Sequence, residues 1–195
     1  MSGDAIIYSN LGMALLGEAL ATAWGIPYGD ALSAHVLQPI GLPPAKLAVG
    51  GGRSLADLPP GHYAGRPAPT ISFHGYAPAA GLIMSAGELG GFLTFCLSKT
   101  DHPLRAALRN SMEVRAPAPA YDGGICLGWF VRGQPRARLY WHDGGLAGFS
   151  SYLAVAPDSG RAIAIVANDH ISTEPIGLAL LELNLPPARE SRPAR

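Results

Sequence analysis

Residues 138–168 read RLYWHDGGLAGFSSYLAVAPDSGRAIAIVAN. Three runs in it, 138–142, 150–156 and 161–168, are rich in the aliphatic and aromatic residues that fit a pleated, half-buried surface. Pro157-Asp158-Ser159-Gly160 joins the last two. It is a tight-turn sequence whose glycine can take positive φ. One step upstream, 125–132 reads as a further strand. Strands that follow one another through short turns predict an antiparallel meander over 125–168. The period then changes. Residues 173–184 (TEPIGLALLELN) predict a closing helix, with Thr173 as cap and Pro175 tolerated in the first turn. Residues 186–195 are expected to be a disordered tail.

Further upstream the pattern is helical. Ser85-Ala86-Gly87-Glu88 has the capping-box spacing and predicts a helix to about Leu97. Another is expected from Pro103 to Val114. Residues 41–78 are irregular, punctuated by Pro43-Pro44, Gly50-Gly51-Gly52 and Pro59-Pro60-Gly61. A long irregular segment inside a domain often lines a cleft. Its apolar side chains (Leu55, Leu58, Tyr63, Ile71, Phe73, Tyr76) predict docking on a surface. Residues 29–38 predict a short helix ended by Pro39. Residues 11–24 predict a longer one, with Leu11, Leu15, Leu16, Ala19, Leu20 and Ala23 at helical spacing, Asn10 as N-cap and Gly25 as stop. Helices, irregular segment, helices, antiparallel strands and helix together define an α+β fold, not a doubly wound parallel sheet. The expected organisation is one domain over 1–185. Its helical and irregular region covers about 1–115, and its sheet with the closing helix 120–185.

Composition narrows the function. The chain has 195 residues, 48% hydrophobic and 14% charged, with zero net charge. This predicts a globular chain with no footprint for nucleic acid or an anionic membrane. No run is long and apolar enough to span a bilayer. Met1-Ser2-Gly3-Asp4 carries no signal-peptide features, and compartment stays open. Cys96 and Cys126 sit among apolar neighbours and are expected as buried free thiols. No P-loop, Gly-x-Gly-x-x-Gly, Gly-x-Ser-x-Gly or His-Glu-x-x-His occurs. His35, His62, His74, His102 and His170 lack metal-ligand spacing. Neither cofactor nor metal is expected.

Two short motifs carry chemistry. Tyr8-Ser9-Asn10 stands at a helix entrance, where developing negative charge is favoured. A phenol beside an amide there suits proton transfer, although an ordinary tyrosine needs nearby cations to act as a base. Simple helix capping would also account for the motif. His142-Asp143-Gly144-Gly145 ends a strand. Paired glycines there allow a ligand backbone to come close, and their N–H groups can donate to an oxyanion. A structural histidine and a turn-forming aspartate remain the alternative.

Taken in order, the motifs resemble those of the class C β-lactamase-like superfamily of serine hydrolases. That group includes esterases, D-aminopeptidases and D-Ala-D-Ala carboxypeptidases. Gly3 to Asn10 with Leu11 to Glu18 resembles its second signature region. Pro39-Ile40-Gly41-Leu42 is similar to its Pro-Leu-Gly-Met turn. Ala79 to Ser85, with Glu88-Leu89 and Phe92-Leu93, is similar to its Gly-Gly-Leu helix entry. Leu127-Gly128-Trp129 resembles its Gly-Leu-Gly-Trp strand. His142 to Gly145, with Gly148-Phe149-Ser150-Ser151, resembles its third signature. The resemblance implies a β-lactamase/penicillin-binding-protein-like fold and a small-molecule acyl substrate: an ester, an amide or a β-lactam. It implies that Tyr8 shuttles a proton and that Asn10 orients the substrate amide or a catalytic lysine. His142 would extend the cationic side of the pocket, and the Gly145 N–H would serve the oxyanion, with Gly144 and Asp143 beside it. Asp143 stands where Thr or Ser is commoner, and His142 where Lys often is. Both tilt the expectation from β-lactamase toward esterase or peptidase.

The family's nucleophile motif, Ser-x-x-Lys, has no counterpart. The two lysines, Lys46 and Lys99, are preceded three residues earlier by Pro43 and Cys96. A catalytic serine needs that lysine one helical turn on. The expectation is therefore the C-terminal part of a serine hydrolase, inactive alone, with a sheet edge and helix faces left open. Such a chain should be marginally stable or self-associating through its edge. The alternatives are a nucleophile-free domain that binds peptide, peptidoglycan-like ligands or a partner subunit, and a hydrolase completed in trans.

Overall fold

The computed structural model describes residues 6–48, 58–69, 71–121 and 123–183. The expected tail at 186–195, Leu55 and residues 3–5 lie outside the described residues. The fold is α+β, as the sequence predicts.

Helix α1, Asn10–Trp24, is capped by Ser9, whose Oγ accepts the Gly12 N–H at 3.0 Å. Asn10 is thus the first helical residue and not the cap. The chain leaves α1 through Gly25 at φ +69°. The buried side of α1 is Ala14, Gly17 and Ala21, while Leu15, Leu16 and Leu20 are exposed. This reverses the expected inward stripe of leucines. Small residues win that face because α1 lies almost in contact with α3, Ala77–Ala80. A Cβ on Gly17 would stand 2.2 Å from Pro78 Cβ.

Helix α2, Tyr28–Leu32, does not end at Pro39. It widens into a π turn at Ser33–Leu37, tightens to 3₁₀ over Gln38–Ile40, and stops at Gly41, φ +80°. Ser33 holds the widened turn: its Oγ donates to Gly29 O and accepts from Ala45 N. Strand β1, Lys46–Leu47, pairs antiparallel with β4, Leu82–Ile83. Between them β2, His62–Tyr63, and β3, Arg66–Pro67, form a hairpin. Its two central residues, Ala64 and Gly65, both have positive φ, as a type I′ turn needs. Helix α4, Ala86–Leu97, carries the expected capping box, with Glu88 N–H on Ser85 Oγ and Ser85 N–H on Glu88 Oε2. Helix α5 is shorter than expected, Arg105–Ser111.

The six-stranded antiparallel sheet runs in the order β10-β9-β8-β7-β6-β5. Its strands are β5 (Ala116–Ala118), β6 (Gly123–Ile125), β7 (Phe130–Arg132), β8 (Leu139–Leu146), β9 (Phe149–Ala156) and β10 (Arg161–Ala167). Strand β5 was not legible in the sequence. The expected single strand over 125–132 is instead two, β6 and β7. Gly128 takes φ +79°, and the Cys126 N–H reaches Trp129 O at 2.8 Å, so the chain turns back. The Pro157–Gly160 turn is as predicted, with Gly160 at φ +67°.

One sheet face presents Val131, Tyr140 and Val155 to Leu93 and Cys96 of α4 and to Trp129. The other presents Phe130, Trp141, Tyr152 and Ala154 to Leu181 of α6, Glu174–Leu183. Helix, sheet and helix therefore form three layers around two cores.

Cys96 and Cys126 are buried and free. Burial pushes the Cys96 thiol up from 9.0 to about 12, with Arg105 opposing. Below pH 9 the thiol is neutral folded or unfolded, so its contribution is fully present. Above pH 9 only the unfolded chain ionises, and stability falls as pH rises toward about 12. Between pH 8 and pH 10.5 wild type is expected to lose about 2 kcal/mol more than Cys96→Ala. Urea unfolding at the two pH values measures the difference; equal losses would show that Cys96 is not held neutral.

Candidate active site

Strand β8 is eight residues long, but β7 pairs with only its first three. Phe130, Val131 and Arg132 face Trp141, Tyr140 and Leu139. From His142 to Leu146 the edge on that side has no strand partner among the described residues, while β9 pairs along the other side to Leu146. Asp143, Gly144, Gly145 and Leu146 are exposed there.

Tyr8, just before α1, arrives at this opening. Its ring lies 6.2 Å from Phe130 and 6.2 Å from His142, and Phe130 in turn lies 5.4 Å from His142. Tyr121 stacks on Phe130 from beyond, at 4.0 Å. Two motifs more than 130 positions apart in the sequence thus meet at one end of the sheet. Asn10 enters α1 two residues on from Tyr8 and is exposed.

His142 donates from Nδ1 to its neighbour's carbonyl, Asp143 O, at 2.6 Å. A carbonyl only accepts, so Nδ1 carries a proton. Tyr8 lies beside this ring. Burial, then Asp143, then Tyr121 all raise its pKa, and none of the groups acting on it lowers it. A phenol pushed upward stays protonated at neutral pH and does not act there as a base.

The paired glycines are filled from within the chain. A Cβ on Gly144 would lie 2.9 Å from Ser151 Oγ. A Cβ on Gly145 would lie 2.9 Å from His170 Cε1. A side chain at either position would have to displace the Ser151 hydroxyl or the His170 ring. His170 and Tyr63, whose rings are 5.3 Å apart, therefore join the site's surroundings. The β2–β3 hairpin is fastened there. Gly65 N–H donates to Asp169 Oδ2 at 3.1 Å, His170 N–H to His62 O at 2.9 Å, and His62 N–H to Gly148 O at 2.8 Å. Sequence reading missed Tyr63, Tyr121, Phe130 and His170. Only Phe130 stood near a quoted motif; the others are brought in by long-range contacts. Among the described residues no group of His, Cys, Asp or Glu could hold a metal ion. Among the same residues no helix is long and apolar enough to cross a membrane.

An antiparallel sheet between helical layers, with a tyrosine before a helix facing an open strand of the His-Asp-Gly-Gly type, defines a β-lactamase/penicillin-binding-protein-like hydrolase fold. The chain belongs to the Beta-lactamase family, whose profile matches residues 2–184. It is 25% identical over 190 residues to the unguisins hydrolase ungD' of Aspergillus campestris, covering 89% of this chain and 35% of that protein. The crystal structure of SurE superposes with a TM-score of 0.70 at 27% identity, covering 92% of this chain and 43% of SurE. The class C β-lactamase of Rhodobacter sphaeroides has the same fold, with a TM-score of 0.72 at 19% identity over 90% of this chain and 59% of its own. The chain thus spans well under two thirds of each of these relatives.

Proposed function

We propose that this chain is the C-terminal part of an acyl-transferring serine hydrolase, acting on an ester, amide or β-lactam, and inactive until a segment bearing Ser-x-x-Lys completes its pocket. The observation that carries the reading is Tyr8: placed against His142 at the open strand, yet with its pKa driven upward and no cation among the described residues acting on it. A lysine beside the nucleophile would supply the missing positive charge and let Tyr8 pass a proton between serine, leaving group and water. In that assembly His142 and the edge from Asp143 to Gly145 line the substrate's other side, and the Gly145 N–H serves the oxyanion. Asn10 orients the substrate amide or the lysine. Nothing in the reading requires a cofactor.

A fluorophosphonate or fluorescent penicillin tests this. The 195-residue chain alone is expected to remain unlabelled. Co-expressed with a family segment carrying Ser-x-x-Lys, the label should appear on that segment's serine. Covalent labelling of the chain by itself would overturn the proposal.

The open edge of β8 supports a second reading, because it can receive an extended peptide whether or not a nucleophile is present. A nucleophile-free binding domain would bind D-amino-acid peptides with no turnover in any assembly. The edge of β10, unpaired among the described residues, supports self-association of the uncompleted chain.

A further inference from the structure

Asp143 brings an unmatched charge to the candidate active site. It follows His142 on the stretch of β8 that β7 leaves uncovered, and it is exposed. Among the described residues its carboxylate forms no ion pair; Arg132, which like Asp143 acts on Tyr152, is spent on Glu174. The other carboxylate nearby, Asp169, is committed, because its two oxygens accept the Gly65 and His170 backbone N–H groups. Side chains alternate along a strand, so Asp143 and Gly145 share one face, about 7 Å apart, with His142 and Gly144 on the other. On the Asp143 face the His170 ring covers Gly145, its Cε1 only 2.9 Å from where a Cβ would stand. The Tyr63 ring lies 5.3 Å from that of His170, and both residues are exposed. The open edge is therefore bordered on one side by a free carboxylate and two aromatic rings.

That border suits one kind of ligand group. An ammonium is drawn to a carboxylate and to the negative faces of aromatic rings. A carboxylate on the ligand would meet like charge there instead. The side of the scissile bond follows from Tyr8. Asp143 acts on the Tyr8 phenol, and Tyr8 in the completed hydrolase hands its proton to the leaving group. We infer that Asp143, flanked by the Tyr63 and His170 rings, selects acyl substrates whose leaving group carries an ammonium, as in amino alcohol esters. The inference rests on the completed-hydrolase reading above and names the substrate class of that site. In the reaction the acyl group passes to the segment's serine, and the amino alcohol leaves with the proton that Tyr8 returns. Water then frees the carboxylic acid and restores the serine.

Butyrylcholine and 3,3-dimethylbutyl butyrate test it, because they share a shape and differ in the charge. With the Ser-x-x-Lys segment present, wild type is expected to favour the choline ester about tenfold in kcat/KM. Asp143→Asn should bring that ratio near one, and added salt should shrink it in wild type. The ratio is the readout because any change in Tyr8 that follows loss of the carboxylate acts on both esters alike. A second measurement needs no nucleophile. Choline added to the 195-residue chain should move the Gly144 and Gly145 amide resonances of wild type and spare those of Asp143→Asn. Equal turnover of the two esters by wild type would overturn the inference, and so would choline shifts that are the same in Asp143→Asn. In either case an assembly that labels with fluorophosphonate would leave the completed-hydrolase reading standing. A chain that labels in no assembly, yet binds choline through Asp143, would sink that reading and support the cation subsite alone.

Discussion

With a Ser-x-x-Lys segment in place, Tyr8→Phe is expected to lower kcat for an ester substrate by about 10²–10⁴-fold, the usual worth of a positioned proton carrier. KM should change little, because the ring that touches Phe130 and His142 is retained and only the hydroxyl is lost. In the chain alone the Tyr8 phenol is held up by burial and by Asp143. Its titration should therefore begin above the ordinary tyrosine range and move down when a lysine arrives beside it. Ultraviolet difference titration of wild type against Tyr8→Phe, with and without the segment, reads that movement directly. If kcat survives Tyr8→Phe, the proton passes elsewhere. His142 is then the next candidate, with His142→Gln as its variant.

Much of this arrangement was legible in the sequence because it is set locally. The capping box at Ser85 and Glu88 and the Pro157–Gly160 turn depend on residues three or four apart, and both form as read. The order of motifs fixed the family because Tyr8 and His142 carry their context with them. What was not legible depends on what a residue meets across space. The leucines of α1 announce a buried stripe, yet Gly17 and Pro78 approach so closely that the small residues take the inner face. Glycines 144 and 145 suggest room for a ligand, but Ser151 and His170 fill that room from β9 and from the segment after β10. The break between β6 and β7 hangs on a positive φ at Gly128, which no periodicity reveals. Tyr63 and His170 reach the site through the hairpin's bonds to Asp169 and Gly148, contacts spanning about half the chain.

Tyr152→Ala is expected to cost about 3–5 kcal/mol, as large-to-small changes of buried aromatics do. Tyr152 is wholly buried on β9, in register with Asp143 on one side and Ile165 on the other. Helix α6 crosses it so closely that a Cβ on Gly177 would stand 2.4 Å from its Cδ1. A helix seated on a bare glycine cannot settle far enough to close the hole left by the ring. The substitution would also uncover Trp141 and the Arg132 guanidinium over it. Against a net stability of about 5–15 kcal/mol for a whole domain, and with several leucines of α1 left in water, such a loss should remove most of the folded population. The urea midpoint measures it, and where too little protein folds, Val155→Ala samples the opposite face with a smaller deletion of about 2 kcal/mol. Tyr152→Phe, which keeps the ring, should retain most of that stability. A Tyr152→Ala chain that stayed within about 1 kcal/mol of wild type would mean that the contact between α6 and the sheet is not where this chain stores its stability.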